Sequence, residues 1–122
     1  MLVRLFISGI LAAALLLAID PKLLKDAEAK INEKKFDEAI AMLYAAYKAT
    51  PKDPILVQAL ANAHLKYGDA FMYDGTLNAT QKYPVAIRQY REALVYDKTN
   101  PIAKKNIEKI EAIYRSMGKP VP

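Results

Sequence analysis

Residues 34–54 read KKFDEAIAMLYAAYKATPKDP, and residues 82–101 read KYPVAIRQYREALVYDKTNP. Ala39-Ile40, Leu43 and Ala46 in the first stretch correspond to Ala86-Ile87, Tyr90 and Ala93 in the second. Steps of four and three put alanine, a large side chain and alanine on one helix face. The small residues permit close approach of a neighbouring helix, and the large one fills the space between. The same face is spelled twice, so the chain is a helical repeat.

Punctuation around these stretches supports one period. Asp20-Pro21, Asp53-Pro54 and Asn100-Pro101 each place an N-cap acceptor before a proline at the first helical position, where the missing N–H costs nothing. The first two starts are 33 residues apart and the next two 47, a period near 34 plus an insertion of about thirteen. In the helices preceding the quoted stretches, Ala27 and Ala61 take the matching small position. The pattern predicts helices over 21–33, 36–49, 54–68, 83–97 and 101–116. Ile102, Ile107, Ile110 and Tyr114 give the last helix an apolar stripe among lysines and glutamates, which suits the solvating cap that a repeat array needs.

The arrangement resembles the tetratricopeptide repeat family, whose unit is a 34-residue antiparallel helix pair, over about residues 20–116. The residues that carry the resemblance are Phe36, Ala39, Leu43, Ala46 and Pro51, then Leu60, Ala61, Tyr83, Ala86, Tyr90 and Ala93. Two departures stand in it. Leu23 and Val57 replace the usual aromatic early in the first helix of each pair, and Lys34 stands where a glycine usually precedes the second helix. In the second repeat that place is held by Gly68. The resemblance implies an all-α fold of two helix pairs plus a C-terminal capping helix. It also implies protein or peptide binding in a concave groove lined by the first helix of each pair. Carried over position by position, the groove residues are Leu24, Glu28, Ile31, Gln58, Asn62, Lys66, Lys105 and Lys109. Asn62 can clamp a ligand's backbone and Lys66 can meet a carboxylate. Glu28 stands in the first repeat where a second asparagine would match Asn62.

Outward from the repeat lies a different kind of sequence. The chain has 122 residues, of which 53% are hydrophobic. That excess is concentrated in residues 1–19, where LFISGILAAALLLAI at positions 5–19 carries no charge. Nineteen residues of helix span about 28 Å, close to the hydrocarbon thickness of a bilayer. Arg4 can reach headgroups at one end, and Asp20-Pro21 ends the segment at the other. The same features describe a secretory signal, with small residues at Ala12, Ala14 and Ala18. The expected division is a hydrophobic leader at 1–19, a preceding helix in the fold, and a repeat domain at 20–122. Retention as an anchor is the favoured outcome, with the domain extracytoplasmic (periplasmic). Lys22, Lys25, Lys30, Lys34 and Lys35 after the leader argue for the opposite orientation by a plain charge count. They would also lie near anionic headgroups.

Residues 70–82, AFMYDGTLNATQK, interrupt the second repeat. One reading extends the preceding helix by a turn and returns through a loop. The other makes Phe71, Met72 and Tyr73 a contact surface, because loops on rigid scaffolds carry function. Asn78-Ala79-Thr80 also matches the three-residue glycosylation pattern.

Composition narrows the chemistry. With no cysteine and one histidine there is no disulfide framework, thiol nucleophile or histidine-rich metal site. His64 has no partner of a catalytic set and reads as a packed, hydrogen-bonded side chain. Asp37-Glu38 sit in a helix's first turn, where acids favour the dipole, and Glu108 and Glu111 lie on the terminal helix. The net charge of +5 includes a lysine cluster at Lys104, Lys105 and Lys109. Arginines interleaved with exposed aromatics are lacking, so nucleic acid is not the expected partner. The reading is a non-catalytic, membrane-anchored scaffold, an accessory or assembly subunit of a larger complex, with no cofactor and no metal. Its leader would meet lipid or a partner's transmembrane helices. Two alternatives remain open. One is a periplasmic adaptor whose leader is cleaved and whose groove takes a peptide. The other is a homo-oligomeric filament or ring subunit packed through its apolar N-terminal helix.

Overall fold

The computed structural model describes residues 19–122, and these form five helices with no strand among the described residues. They are α1 (Pro21–Asn32), α2 (Phe36–Ala49), α3 (Pro54–Met72), α4 (Ala79–Tyr96) and α5 (Pro101–Ser116). The leader expected over 1–19 lies, apart from Ile19, outside the described residues. Among the described residues no helix is long and apolar enough to cross a membrane.

The three proline-marked starts are built as caps. Asp20 Oδ1 accepts from Lys22 N at 2.9 Å, and Asp53 Oδ1 accepts from Ile55 N at 2.9 Å. Asn100 Oδ1 accepts from both Ile102 N at 3.1 Å and Ala103 N at 2.9 Å. Each bond satisfies an amide that the helix itself cannot pair, worth typically about 1 kcal/mol against alanine. The end of α1 closes differently. Lys34 N donates to Ile31 O at 2.9 Å and Lys35 N to Lys30 O at 2.8 Å, with Lys34 in the left-handed region at φ 61°. This pair of bonds is the Schellman arrangement, and its left-handed residue is ordinarily glycine.

Two boundaries differ from the sequence expectation by more than one residue. Helix α3 continues past residue 68 to Met72, and α4 begins at Ala79 instead of 83. Gly68 does not end α3 because it is needed inside the helix. A Cβ there would stand 2.8 Å from the Tyr90 ring, so the glycine is the gap into which Tyr90 fits. At the start of α4, Asn78 Oδ1 accepts from Gln81 N at 3.0 Å while Gln81 Oε1 accepts from Asn78 N at 3.0 Å. That reciprocal capping box sets the helix start, and Pro84 falls inside the helix. The stretch 70–82 is therefore the last turn of α3, a short connection at 73–78 and the first turn of α4. Thr80 Oγ1 also donates to Asn78 Oδ1 at 2.7 Å, so the asparagine of the glycosylation pattern serves as a cap.

Each helix packs on the next, and α1 also touches α3. Small residues make the close contacts: Ala39, Ala61, Ala86, Ala93 and Ala103 are fully buried. Two apolar clusters result. One gathers Ala27, Leu43, Leu56, Leu60 and Ala63, with Ile19, Leu23 and Leu24 half-buried against it. The other gathers Leu65, Met72, Ile87, Tyr90, Ile110 and Tyr114. Each buried large side chain contributes about 1.5–3 kcal/mol. Helix α3 belongs to both clusters, which makes it the spine on which the rest is mounted.

Candidate partner-binding cleft

A cleft of about 710 Å³ runs between α1 and α3. Leu24, Ala27, Glu28 and Ile31 reach it from α1, and Ala59, Asn62, Lys66 and Ala70 from α3. Both sets recur at steps of three and four, so each is one helix stripe. Phe36 and Leu43 of α2 close the floor, and Asn32 and Lys34 border one end. Of the groove positions carried by the resemblance, Leu24, Glu28, Ile31, Asn62 and Lys66 line this cleft. Gln58 is exposed on α3 one turn before Asn62, outside the lining. Lys105 and Lys109 are exposed on α5, also outside it. Asn62 and Lys66 are exposed and one turn apart, above a floor of aliphatic and aromatic carbon. Such a surface can take apolar side chains of an incoming segment while the amide and the ammonium meet its polar groups.

Asp69 completes the α3 side of the cleft, and the sequence reading did not single it out. Its Oδ1 accepts from the Tyr90 hydroxyl at 2.6 Å and from Asn106 Nδ2 at 3.4 Å. The Tyr73 hydroxyl donates in turn to Asn106 Oδ1 at 3.3 Å. One polar chain thus joins α3, α4, α5 and the residue just after α3. Burial pushes the Tyr90 phenol well above its ordinary range, and the neighbouring Asp69 carboxylate adds to this, so the hydroxyl stays a donor. Asp69 lies three residues beyond Lys66, a signal that was readable once α3 was known to run through Gly68.

Phe71, Met72 and Tyr73 do not share a face. Met72 is buried at 8% exposure beside the Tyr90 hydroxyl, and Phe71 is half-buried against the same cluster. Tyr73 is 62% exposed. Successive residues on a helix point about 100° apart, which separates them. Phe71 also lines a second cavity of about 460 Å³, next to Tyr67, Phe36, Asp37 and Asp74. Phe36 and Tyr67 stack there with ring centroids 4.9 Å apart. Burial raises the Tyr67 phenol above its usual range, with a further push from Asp37.

The chain gives no match to protein-family models, to curated proteins or to solved structures. The cleft must therefore be judged on its own chemistry.

The remaining candidate groups are placed as follows. His64 Nδ1 lies 2.8 Å from Gln89 Oε1, both side chains are buried, and the imidazole stacks on Tyr96 at 5.8 Å. With the carboxamide oxygen as acceptor, Nδ1 carries the hydrogen. Glu38 pairs with Lys30 at 2.7 Å, and this contact holds its carboxyl below the usual range. Asp37 and Glu108 are exposed, Glu111 is half-buried, and Lys104 is exposed beside Lys105. No group of three or more histidine, aspartate or glutamate side chains gathers as a metal site among the described residues.

Proposed function

We propose that this protein is a non-catalytic scaffold of the tetratricopeptide type, which holds a segment of a partner protein in the cleft between α1 and α3. In this reading α1–α2 and α3–α4 are two antiparallel repeat pairs and α5 is the cap. Contact between α1 and α3, the first helices of the two pairs, supports it. So does full burial of the small positions Ala39, Ala61, Ala86 and Ala93. The carrying observation is the cleft itself, in which Asn62 and Lys66 stand above an apolar floor opposite Leu24, Glu28 and Ile31. Residues 1–19 anchor the domain to a membrane, on its extracytoplasmic side, where it serves as an accessory or assembly subunit of a larger complex.

The test uses the full-length tagged chain, expressed in its native membranes and crosslinked before solubilisation. Changing Asn62→Ala together with Lys66→Ala removes both polar groups and leaves the floor intact. Capture of the partner falls at least about tenfold, the equivalent of 1.4 kcal/mol. A chain lacking residues 1–18 leaves the membrane fraction. Undiminished capture by the double variant would move the partner site away from the cleft, and undiminished membrane association of the shortened chain would remove the anchor.

A further inference from the structure

Three exposed aliphatic side chains stand at one end of the molecule. The connections over 33–35, 50–53, 73–78 and 97–100 are short and each helix packs on the next, so neighbouring helices run antiparallel. The starts of α1, α3 and α5 therefore share an end with the finishes of α2 and α4. Tyr47 and Tyr96, close to those two finishes, meet edge to face at 5.5 Å. Ile19 and Leu23 pack against the same cluster as Leu56, which follows the start of α3. Ile55, Val95 and Ile102 are 51%, 63% and 51% exposed, and all three belong to this end.

The charge there is one-sided in what it offers to the outside. Lys22, Lys48, Lys52 and Lys98 are exposed, and no ion pair includes them among the described residues. The acids of the same end are turned to the fold. Asp20 and Asp53 cap α1 and α3, Asp53 being buried, and Asp97 accepts from Asn100 Nδ2 at 3.2 Å. Asp20 alone of these three stays exposed, and the next exposed acids, Asp26 and Glu92, lie a turn or more into their helices. At the opposite end the charges answer one another. Glu38 meets Lys30 at 2.7 Å, Glu33 meets Lys35 at 3.0 Å, and Asp37 is exposed as well.

Residues 1–18 join the domain at this same end, through Ile19 and Asp20. Free lysines around aliphatic side chains, at the point where an apolar segment arrives, complement anionic headgroups above hydrocarbon. Resting on the anchor reading above, we infer that this end of the domain lies on the anionic lipid surface into which the leader inserts. Lys22, Lys48, Lys52 and Lys98 meet the phosphates, and Ile55, Val95 and Ile102 enter the headgroup layer. The patch orients the domain and does not replace the anchor, since so small an apolar surface binds only reversibly by itself. The helices then stand upright on the bilayer, and the cleft between α1 and α3 runs away from it.

The experiment reconstitutes the full-length chain in vesicles of phosphatidylcholine, alone or mixed with phosphatidylglycerol. The chain has no cysteine, so Val95→Cys and Met117→Cys each carry one fluorophore, at opposite ends of the domain. Met117 follows α5, whose 16 residues span about 24 Å. Lipids with a nitroxide on the headgroup quench the probe at Val95 and spare the one at Met117 in the anionic vesicles. Quenching at Val95 falls at least about tenfold when Lys48, Lys52 and Lys98 are all changed to glutamate, the effect of several lysines near an anionic surface. It falls likewise in pure phosphatidylcholine and in high salt, two arms that need no variant. Equally low quenching at both sites in a chain that stays anchored overturns this inference alone and leaves the patch to an acidic protein partner. Quenching at Val95 that persists without anionic lipid and in the charge-reversed chain also overturns it, because the leader alone would then hold that end down. Failure of the wild-type chain to associate with either vesicle overturns the anchor reading with it.

Discussion

Lys34 and Gly68 stand at corresponding places before the two stretches whose sequences match, yet their backbones do opposite things. Lys34 takes the left-handed conformation that closes α1, at φ 61°. Gly68 stays helical, and α3 runs on to Met72. From residue type alone one would assign the turn to the glycine and the continuation to the lysine. The reversal follows from what lies across the helix. Tyr90 presses on Gly68 so closely that any side chain would collide with its ring. Around Lys34 the chain is exposed, and its end bonds to Lys30 O and Ile31 O close the turn despite the unfavourable φ. A glycine can thus mark either a turn or a close approach, and the residue opposite decides which.

The largest effect should come from breaking the close approach. Gly68→Ala gains up to about 1 kcal/mol of helix propensity but drives a methyl group into the Tyr90 ring. The ring cannot retreat, because it is fully buried and its hydroxyl is held by Asp69 at 2.6 Å. Overpacking of this kind costs about 1–3 kcal/mol, so a net loss is expected. Thermal unfolding should show a drop of several degrees for a domain of this size. In Tyr90→Leu the same alanine should be tolerated or stabilising, because the obstacle is gone. An unchanged Tm for Gly68→Ala in the wild-type background would mean that Gly68 is not there for Tyr90.

This comparison also shows which parts of the molecule were legible in the sequence. The stripes at Ala39, Leu43 and Ala46 and at Ala86, Tyr90 and Ala93, with the three proline starts, place the helices, because helical period and capping are local properties. The helix boundaries expected at 68 and 83 are displaced for two local reasons that tertiary structure overrides, although the reading that extends the helix before 70–82 by a turn agrees with α3. Gly68 looks like a stop, and Tyr83-Pro84 looks like a start, since proline favours the first turn. The true start, Asn78 with Gln81, was spelled out in the insertion but was masked by the proline downstream. Among the candidate residues, Asn62 and Lys66 were implied by the family resemblance, position by position, and helix spacing puts them on one stripe. Asp69 was not, because it became part of the cleft only through the extension of α3, and its partners Tyr90 and Asn106 are far away in sequence.

The capping box provides the second test. Asn78→Ala removes the acceptor for Gln81 N and leaves Thr80 Oγ1 without its present partner. The cost is about 1 kcal/mol, typical of a lost cap. It should appear as faster amide exchange confined to residues 79–83, because the deeper part of α4 is held by Tyr90 and Ile87 in the core. If exchange rose across the whole of α4 instead, the first turn would be nucleating the helix, and the proline inside it would have to be tolerated for that reason.

Lys34→Gly is the smallest of the three changes and the only one of the three expected to stabilise the chain. The left-handed region costs an ordinary residue about 1 kcal/mol, which glycine does not pay in the folded state. Glycine's greater freedom in the unfolded chain takes part of this back, so the expected gain is about 0.5 kcal/mol. No ion pair is lost, since Lys35 rather than Lys34 meets Glu33 at 3.0 Å. The same substitution at Lys35, whose φ is −89°, should destabilise instead, because there glycine brings its entropy without relieving a left-handed residue and the exposed Glu33 pair is lost as well. A rise in Tm for Lys34→Gly with a fall for Lys35→Gly ties the effect to the sign of φ. Equal falls at both positions would show that the lysine's left-handed turn carries no strain to relieve.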